Sequence, residues 1–340
     1  MVNVNQQRFS VARLVTALAA CSVVTLLAFV LAAAFGEQPL DFAQVRTPGT
    51  SEELIFYSLR LPRVVLAALV GCALASSGAM LQSLLRNPLA DPFVLGVSGG
   101  AALGATVALA FGLSAFAWVP GLSAVSAFAL LGALGATVLV LLVGRLAGGN
   151  SPNTTLLAGV IFNAFALAAI TFIKALVAPD KLGEILFWLA GTLGHETWST
   201  LASTSVVVLL AVAALVALSP RLNLLTLGEE DAQSLGVDVR MTRRVLLVIA
   251  SVAVAAVVSL SGLVGFVGLL VPQLTRLLFG VDQRISVPAS ALLGAAFLML
   301  ADLLARLLFR VFQTEPPVGV ITALLGGPLF LALMAKQRRP

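Results

Sequence analysis

Between Pro92 and Gly144 the chain runs 53 residues without an Asp, Glu, Lys or Arg. A helix that crosses a bilayer needs about 20 apolar residues at 1.5 Å rise per residue. This stretch is therefore long enough for two crossings, and Trp118-Val-Pro-Gly121 is the natural place to split them. The rest of the chain repeats the pattern on a smaller scale. Sixty per cent of residues are hydrophobic and 10% are charged, with a mean hydropathy of +1.07. No soluble domain of this length has that composition. The excess of five positive charges is then read as positive-inside bias, not as a nucleic-acid surface. Cys21 and Cys72 both fall in apolar runs, which argues against a disulfide or a metal site. A single histidine, His195, rules out a multi-histidine metal centre and reads as a loop residue.

The runs predict an all-α, polytopic membrane protein with about ten crossings in one domain, residues 1–340. The first is Leu14–Phe35. Its AAAF end imitates a signal-peptide cleavage site, but the run exceeds the roughly 7–15 residues of a signal core, so it is read as retained. A polar loop follows over Gly36–Ser58, then a crossing over Val64–Leu85 and two within 92–144. Thr154–Ile173 is the fifth. Lys174–Glu196 reads as a loop holding a short interfacial helix with Trp188 at the headgroups. The sixth lies between Glu196 and Arg221. Val245–Thr275, 31 uncharged residues, is too long for one helix, and SGLVGFVG with Pro272 predicts a bend and a short return helix. Ile285–Phe309 and Val318–Ala335 complete ten. An even number places both termini on one side. If that side is the cytoplasm, 13 cations lie inside and 7 outside, the direction the positive-inside bias requires.

The segment Arg60–Gly100 carries the first recognisable motifs: RLPR, a helix rich in small residues (Gly71, Ala75, Ser76, Ser77, Gly78, Ala79), Gln82, RNPLADP and LGVSGGAALG. Small residues let helix backbones approach in lipid, where no hydrophobic force brings helices together. Pro88 and Pro92 break the chain between crossings. These motifs resemble the permease subunits of the ATP-driven, binding-protein-dependent importers for iron–siderophores, haem and cobalamin, the FecCD type. LGEEDAQSLGVDVRMTRR (227–244), GFVGLLVPQLTRLLFGVDQR (265–284) and PPVGVITALLGGP (316–328) carry the same resemblance. In that family the residue after the proline of the third motif is commonly histidine; here it is Gln273.

The resemblance implies site residues, partners and a mechanism. Within the polar segment 221–244, Gly228 and Gly236 bracket a short helical stretch with acids at its positive end. Gly228, Glu229, Glu230, Asp231, Ala232, Ser234, Leu235 and Gly236 then correspond to the coupling helix that docks on an ATPase subunit. Arg60 and Arg63, with Arg306 as a weaker third, correspond to outer arginines that accept acidic residues of a soluble binding protein. Two guanidiniums three residues apart suit carboxylates in bidentate fashion. Asn153 and Thr154 correspond to a narrow inner gate. The implied partners are a second permease copy (a homodimer), two ATPase subunits, the binding protein and membrane lipid, with no nucleic acid. Both termini are expected in the cytoplasm, at the bacterial inner membrane.

Absent motifs narrow the chemistry. No G-x-x-x-x-G-K-[ST] and no H-E-x-x-H occur, so the chain is expected to bind no cofactor and no metal, while ATP and Mg sit on the separate ATPase. No nucleophile–base pair marks an intramembrane enzyme. The alternative is an ion-coupled secondary transporter, which needs a titratable group at mid-depth. Asp302, four residues from Arg306 on one helix, is the only buried carboxylate candidate. The motifs leave open which of the three substrates is carried.

Overall fold

The structure, a computed structural model, describes residues 10–113, 123–146 and 152–337. Its elements are helical: α1 (Val11–Ala34), α2 (Ser51–Leu54), α3 (Leu61–Leu84), α4 (Val97–Ala110), α5 (Ala124–Leu146), α6 (Pro152–Leu176), α7 (Pro179–Ala190), α8 (Trp198–Leu227), α9 (Glu229–Ser234), α10 (Val239–Ser261), α11 (Val267–Phe279), α12 (Gln283–Phe312) and α13 (Val318–Gln337). A π-helical turn, Ile55–Arg60, joins α2 to α3, and a 3-10 turn, Pro92–Leu95, precedes α4. Among the described residues, seven helical runs are long and apolar enough to cross a membrane, and α4, α11 and α13 are shorter apolar helices. Together they give the ten expected segments. The bend in 245–275 falls at Gly262–Phe266, where Gly262 and Phe266 both take positive φ, and α11 is the short return helix. The short helix expected in the Lys174–Glu196 loop is α7. The expected split at 118–121 lies outside the described residues.

The second crossing departs from expectation. Its helix starts at Ser51, thirteen residues before Val64, and takes in most of the supposed polar loop's end. The cause is local. Thr50 accepts a hydrogen bond from the Glu53 amide, and Glu53 in turn accepts from the Gly49 amide. This Thr-x-x-Glu arrangement starts a helix as a capping box does. Leu54–Tyr57 then continue it as an apolar run.

Long-range hydrogen bonds sort the helix ends into two groups. At one end Arg13 reaches the Phe279 carbonyl, Arg86 the Leu225 carbonyl, and Asn223 the Asp282 carboxylate. That end gathers the start of α1, the ends of α3, α8 and α11, and the start of α12. At the other end Arg60 and Arg306 bond the end of α1, and Trp198 Nε1 donates to the Tyr57 carbonyl. These bonds fix the directions of α1, α3, α8, α11 and α12, each as ten crossings require.

The helix α3 is the core. Four-fifths of its crossing window is buried (83%), against 17% for α1. It packs most extensively on α12, and also on α8, α10 and α11. Glycine makes the closest approaches possible. A Cβ on Gly71 would fall onto the carbonyl of Gly294 in α12, and one on Gly294 onto the carbonyl of Gly71. Van der Waals contact at small residues is what lipid-embedded helices have in place of hydrophobic drive.

Candidate coupling, docking and gate sites

The glycine-bracketed stretch is a helix of one and a half turns, α9, between α8 and α10. Gly228 ends α8 at φ 155 and Gly236 takes φ 84, a backbone that side chains oppose. The Val237 amide returns to the Ala232 carbonyl at 3.0 Å and the Gly236 amide to Gln233 at 2.9 Å, a glycine-closed helix end. One residue, Ala232, is buried and seats the helix. Glu229 pairs with Arg243 of α10. Asp238 caps α10 through the Met241 amide at 2.9 Å. Glu230, Asp231, Ser234 and Leu235 are left exposed. The arrangement is a short, rigid knob with an acidic start and an apolar tip, Leu235.

At the opposite end lies a mouth of ≈260 Å³ lined by Glu37, Gln38, Arg60, Arg63, His195, Arg306 and Glu315, with two apolar residues of the π turn. Arg60 and Arg63 do not stand on an outer rim, as the sequence suggested. The early helix start puts both inside the second crossing, and they are 6% and 8% exposed, with Arg306 at 4%. They form the floor of the mouth. Their partners explain the burial. Arg60 donates to the carbonyls of Ala33, Ala34 and Gln38. Arg306 donates to Ala32 and Phe35, and Arg310 to Gly36 and Glu37. Seven successive carbonyls, 32 to 38, are thus bonded by three guanidiniums. The first three, Ala32–Ala34, are acceptors that the C-terminus of α1 leaves without intrahelical partners, at its negative end, and the rest follow in the loop. The AAAF segment is the centre of this clamp.

Arg63 and Arg306 also hold Asp302 between them. Arg63 Nε and Arg306 Nε each lie 2.9 Å from a separate carboxylate oxygen. Arg63 pairs further with Glu315 in the loop before α13. Burial, with a hydrogen bond to Glu315 and repulsion from it, raises the Glu37 carboxyl above its ordinary range. Burial would raise Glu315 too, but the hydrogen bond and charge of Arg63 outweigh it and hold Glu315 low. Of this carboxyl pair, Glu37 is therefore the one that takes up a proton first as pH falls.

The expected gate lies where α6 begins. Thr154 is half-buried in its first turn, and the side chain of Asn153 lies outside the described residues. Farther along α6, Asn163 Nδ2 donates to the Phe93 carbonyl at 2.9 Å, and Gly159 packs on the Val94 carbonyl. The DPFVL turn is thus the seat of α6, a role its sequence did not announce. Gln82 and Gln273 also meet. Gln82 Nε2 donates to the carbonyls of Gly268 and Leu269, and Gln273 Nε2 donates to Gln82 Oε1 and to the Pro88 carbonyl, both at 3.1 Å. The RNPLADP turn is tied to α11 through that pair.

The FecCD transport family matches residues 24–336. The chain belongs to that family. It is a multi-pass membrane permease of an ABC importer. Among its relatives, the cobalamin import permease BtuC of Halobacterium salinarum is 43% identical over 296 residues, 87% of this chain and 76% of the relative. The hemin transport permease HmuU of Yersinia pestis is 40% identical over 310 residues, 89% and 90% of the two chains. A solved structure described as an inward-facing metal-chelate type ABC transporter superposes with a TM-score of 0.84 at 32% identity, covering 94% of this chain and 98% of that one. Membership in the FecCD family sets aside the ion-coupled alternative, and the geometry agrees. Asp302, its one buried carboxylate candidate, is held by two guanidiniums.

Proposed function

We propose that two copies of the chain pair around a central path at the bacterial inner membrane and import a bulky metal chelate, haem or cobalamin. Each copy carries an ATPase subunit on α9, and the mouths at the other end receive the acidic residues of a soluble binding protein. ATP and Mg are bound by the ATPase subunits, not by this chain. The end bearing α9 is cytoplasmic, as are both termini. The inner gate is formed where the two α6 helices begin, at Asn153 and Thr154.

The observation that carries this reading is the placement of the two features. An exposed knob and an arginine-floored mouth stand at opposite ends of one bundle, joined through α3, α8 and α12. A guanidinium floor suits carboxylates entering from outside, and a knob anchored by one alanine and an ion pair suits a groove in a moving partner. Substrate choice is assigned to the binding protein, since the relatives that share these helices carry names with different cargoes.

The test is reconstitution in proteoliposomes with the ATPase and binding protein of the same system, measuring uptake of cobalamin, haemin and a ferric siderophore. Glu230→Lys with Gly236→Phe is expected to abolish uptake while leaving the protein in the membrane. Normal uptake by that variant removes α9 from the coupling role. At the mouth, Gln38→Glu with His195→Glu places competing carboxylates beside the arginines without disturbing Asp302. Docking of the binding protein should slow and lose part of its salt dependence. Unchanged docking kinetics across salt concentrations would move the docking site elsewhere.

A further inference from the structure

A second cluster of arginines lies beside the root of α9 and the start of α6, at the end opposite the mouth. Arg145 ends α5, and Arg240, Arg243 and Arg244 fall in the first two turns of α10. The four line a cleft of ≈100 Å³ with Thr155 of α6. The placement on α10 runs against the helix field. The first turn of a helix is positive and favours acids, yet the first turn of α10 contains none. Glu229 pairs with Arg243, and Asp238 is engaged as the cap. Among the described residues no acid lines the cleft, and Arg145 and Arg240 stand exposed at it. Such a site is stabilised by an anion.

The walls say which kind. Leu141, Leu247 and Val248 supply its apolar wall. Val248 is 44% exposed, and Val252, one turn farther along the same face, is 37% exposed. An open apolar track thus leads from the arginines along α10 into the span. A free phosphate has no use for that track; an acyl chain does. The cleft also sits at the ends of crossing helices, the level at which headgroups lie.

We infer that the cleft between α5, α6 and α10 binds an anionic phospholipid, with its phosphate at Arg145 and Arg240 and an acyl chain along Val248 and Val252. A lipid there would brace the root of α9, because Arg243 holds Glu229.

The test is native mass spectrometry of the purified permease with added phosphatidylglycerol, phosphatidylcholine or inorganic phosphate. Wild type should retain phosphatidylglycerol in preference to phosphatidylcholine, and inorganic phosphate should not displace it. One arginine beside an anionic headgroup is worth about fivefold in affinity, so Arg145→Gln with Arg240→Gln should weaken retention about thirtyfold. Lysine at the same two positions should restore most of it, and Arg46→Gln, in an exposed loop at the other end, should change nothing. If the glutamine variant fails to fold, broadening of the phosphatidylglycerol phosphorus resonance by wild type, absent with phosphatidylcholine, carries the same information. Equal retention of the two lipids, or unchanged retention in the glutamine variant, overturns the assignment. Displacement by inorganic phosphate would make it a free-anion site. Loss of ATPase co-purification with lipid retention intact would give these arginines to the protein partner instead.

Discussion

Gln273 departs from the histidine common at its place in the resembling permeases, and its bonds give the physical reason the change is tolerated. Its amide nitrogen serves two acceptors, Gln82 Oε1 and the Pro88 carbonyl. A neutral imidazole has one N–H to offer, so it can serve one of them. Gln273→Leu leaves the buried Gln82 Oε1 and the half-buried Pro88 carbonyl without that donor and should cost about 1–3 kcal/mol. Gln273→His should fall between. Thermal unfolding in nanodiscs is expected to rank wild type above histidine above leucine, and a leucine variant as stable as wild type would contradict the account. Asp91 is a second local device. It caps the DPFVL turn through the Phe93 amide at 2.8 Å, yet burial pushes its carboxyl up to about 6. The folded state then holds the proton more tightly than the unfolded chain, whose value is about 3.9. The stabilisation linked to that proton is full below the unfolded value and is lost as pH rises through 6. Asp91→Asn keeps the accepting oxygen and removes the charge. Its melting temperature should match wild type near pH 4 and exceed it at pH 8; parallel curves across that range would show that the burial cost is absent.

Helices in this chain were legible where they follow their own hydropathy. Apart from the start of the second crossing, and the split at 118–121 outside the described residues, the ten segments, the bend before α11, the short α7 and the glycine-bracketed α9 stand where periodicity and breakers placed them. What escaped is what depends on partners far along the chain. The start of the second crossing was missed although Thr50-Ser-Glu-Glu is a local signal, because acids beside a polar loop read as more loop. The roles of Arg60 and Arg306 could not be read at all. Their acceptors, the carbonyls of α1, are up to 274 residues away, and a local pattern contains no trace of such a bond. Small residues in α3 told that something approaches closely, but not that α12 does. That contact makes a prediction. Gly71 and Gly294 close on each other's carbonyls, and α3 is packed on several sides, so neither helix can withdraw. Gly71→Leu should cost more than the about 1–3 kcal/mol usual for overpacking and abolish a monodisperse peak in size-exclusion chromatography. Gly135→Leu on α5, where an added Cβ meets nothing, should be tolerated. Equal behaviour of the two variants would mean that the glycine contact is dispensable.

Across the whole molecule, the two ends are fixed relative to each other by bonds that local sequence cannot supply. Arg13 to Phe279, Arg86 to Leu225 and Asn223 to Asp282 define one end, and the clamp on α1 with Trp198 to Tyr57 defines the other. The grouping of cations used to orient the chain survives in the described residues: Arg145, Arg240, Arg243, Arg244, Arg276 and Arg284 fall at the end that bears α9, and Arg60, Arg63, Arg306 and Arg310 at the mouth. A single crossing, α8, separates His195 from Ser234, and both side chains are exposed. Single cysteines at these two positions must therefore label from opposite sides, whichever side is outer. The native cysteines interfere little, because Cys21 is buried and Cys72 is half-buried, both within crossings. With a membrane-impermeant maleimide on intact cells, His195→Cys is expected to label at once and Ser234→Cys only after permeabilisation. Gln313→Cys, exposed in the loop that holds Glu315, should follow His195→Cys. Reversed labelling of all three would invert the proposed orientation and leave the fold intact. Labelling of His195→Cys and Ser234→Cys from the same side would break the alternation itself, and with it the separation of coupling knob from docking mouth on which the transport reading rests.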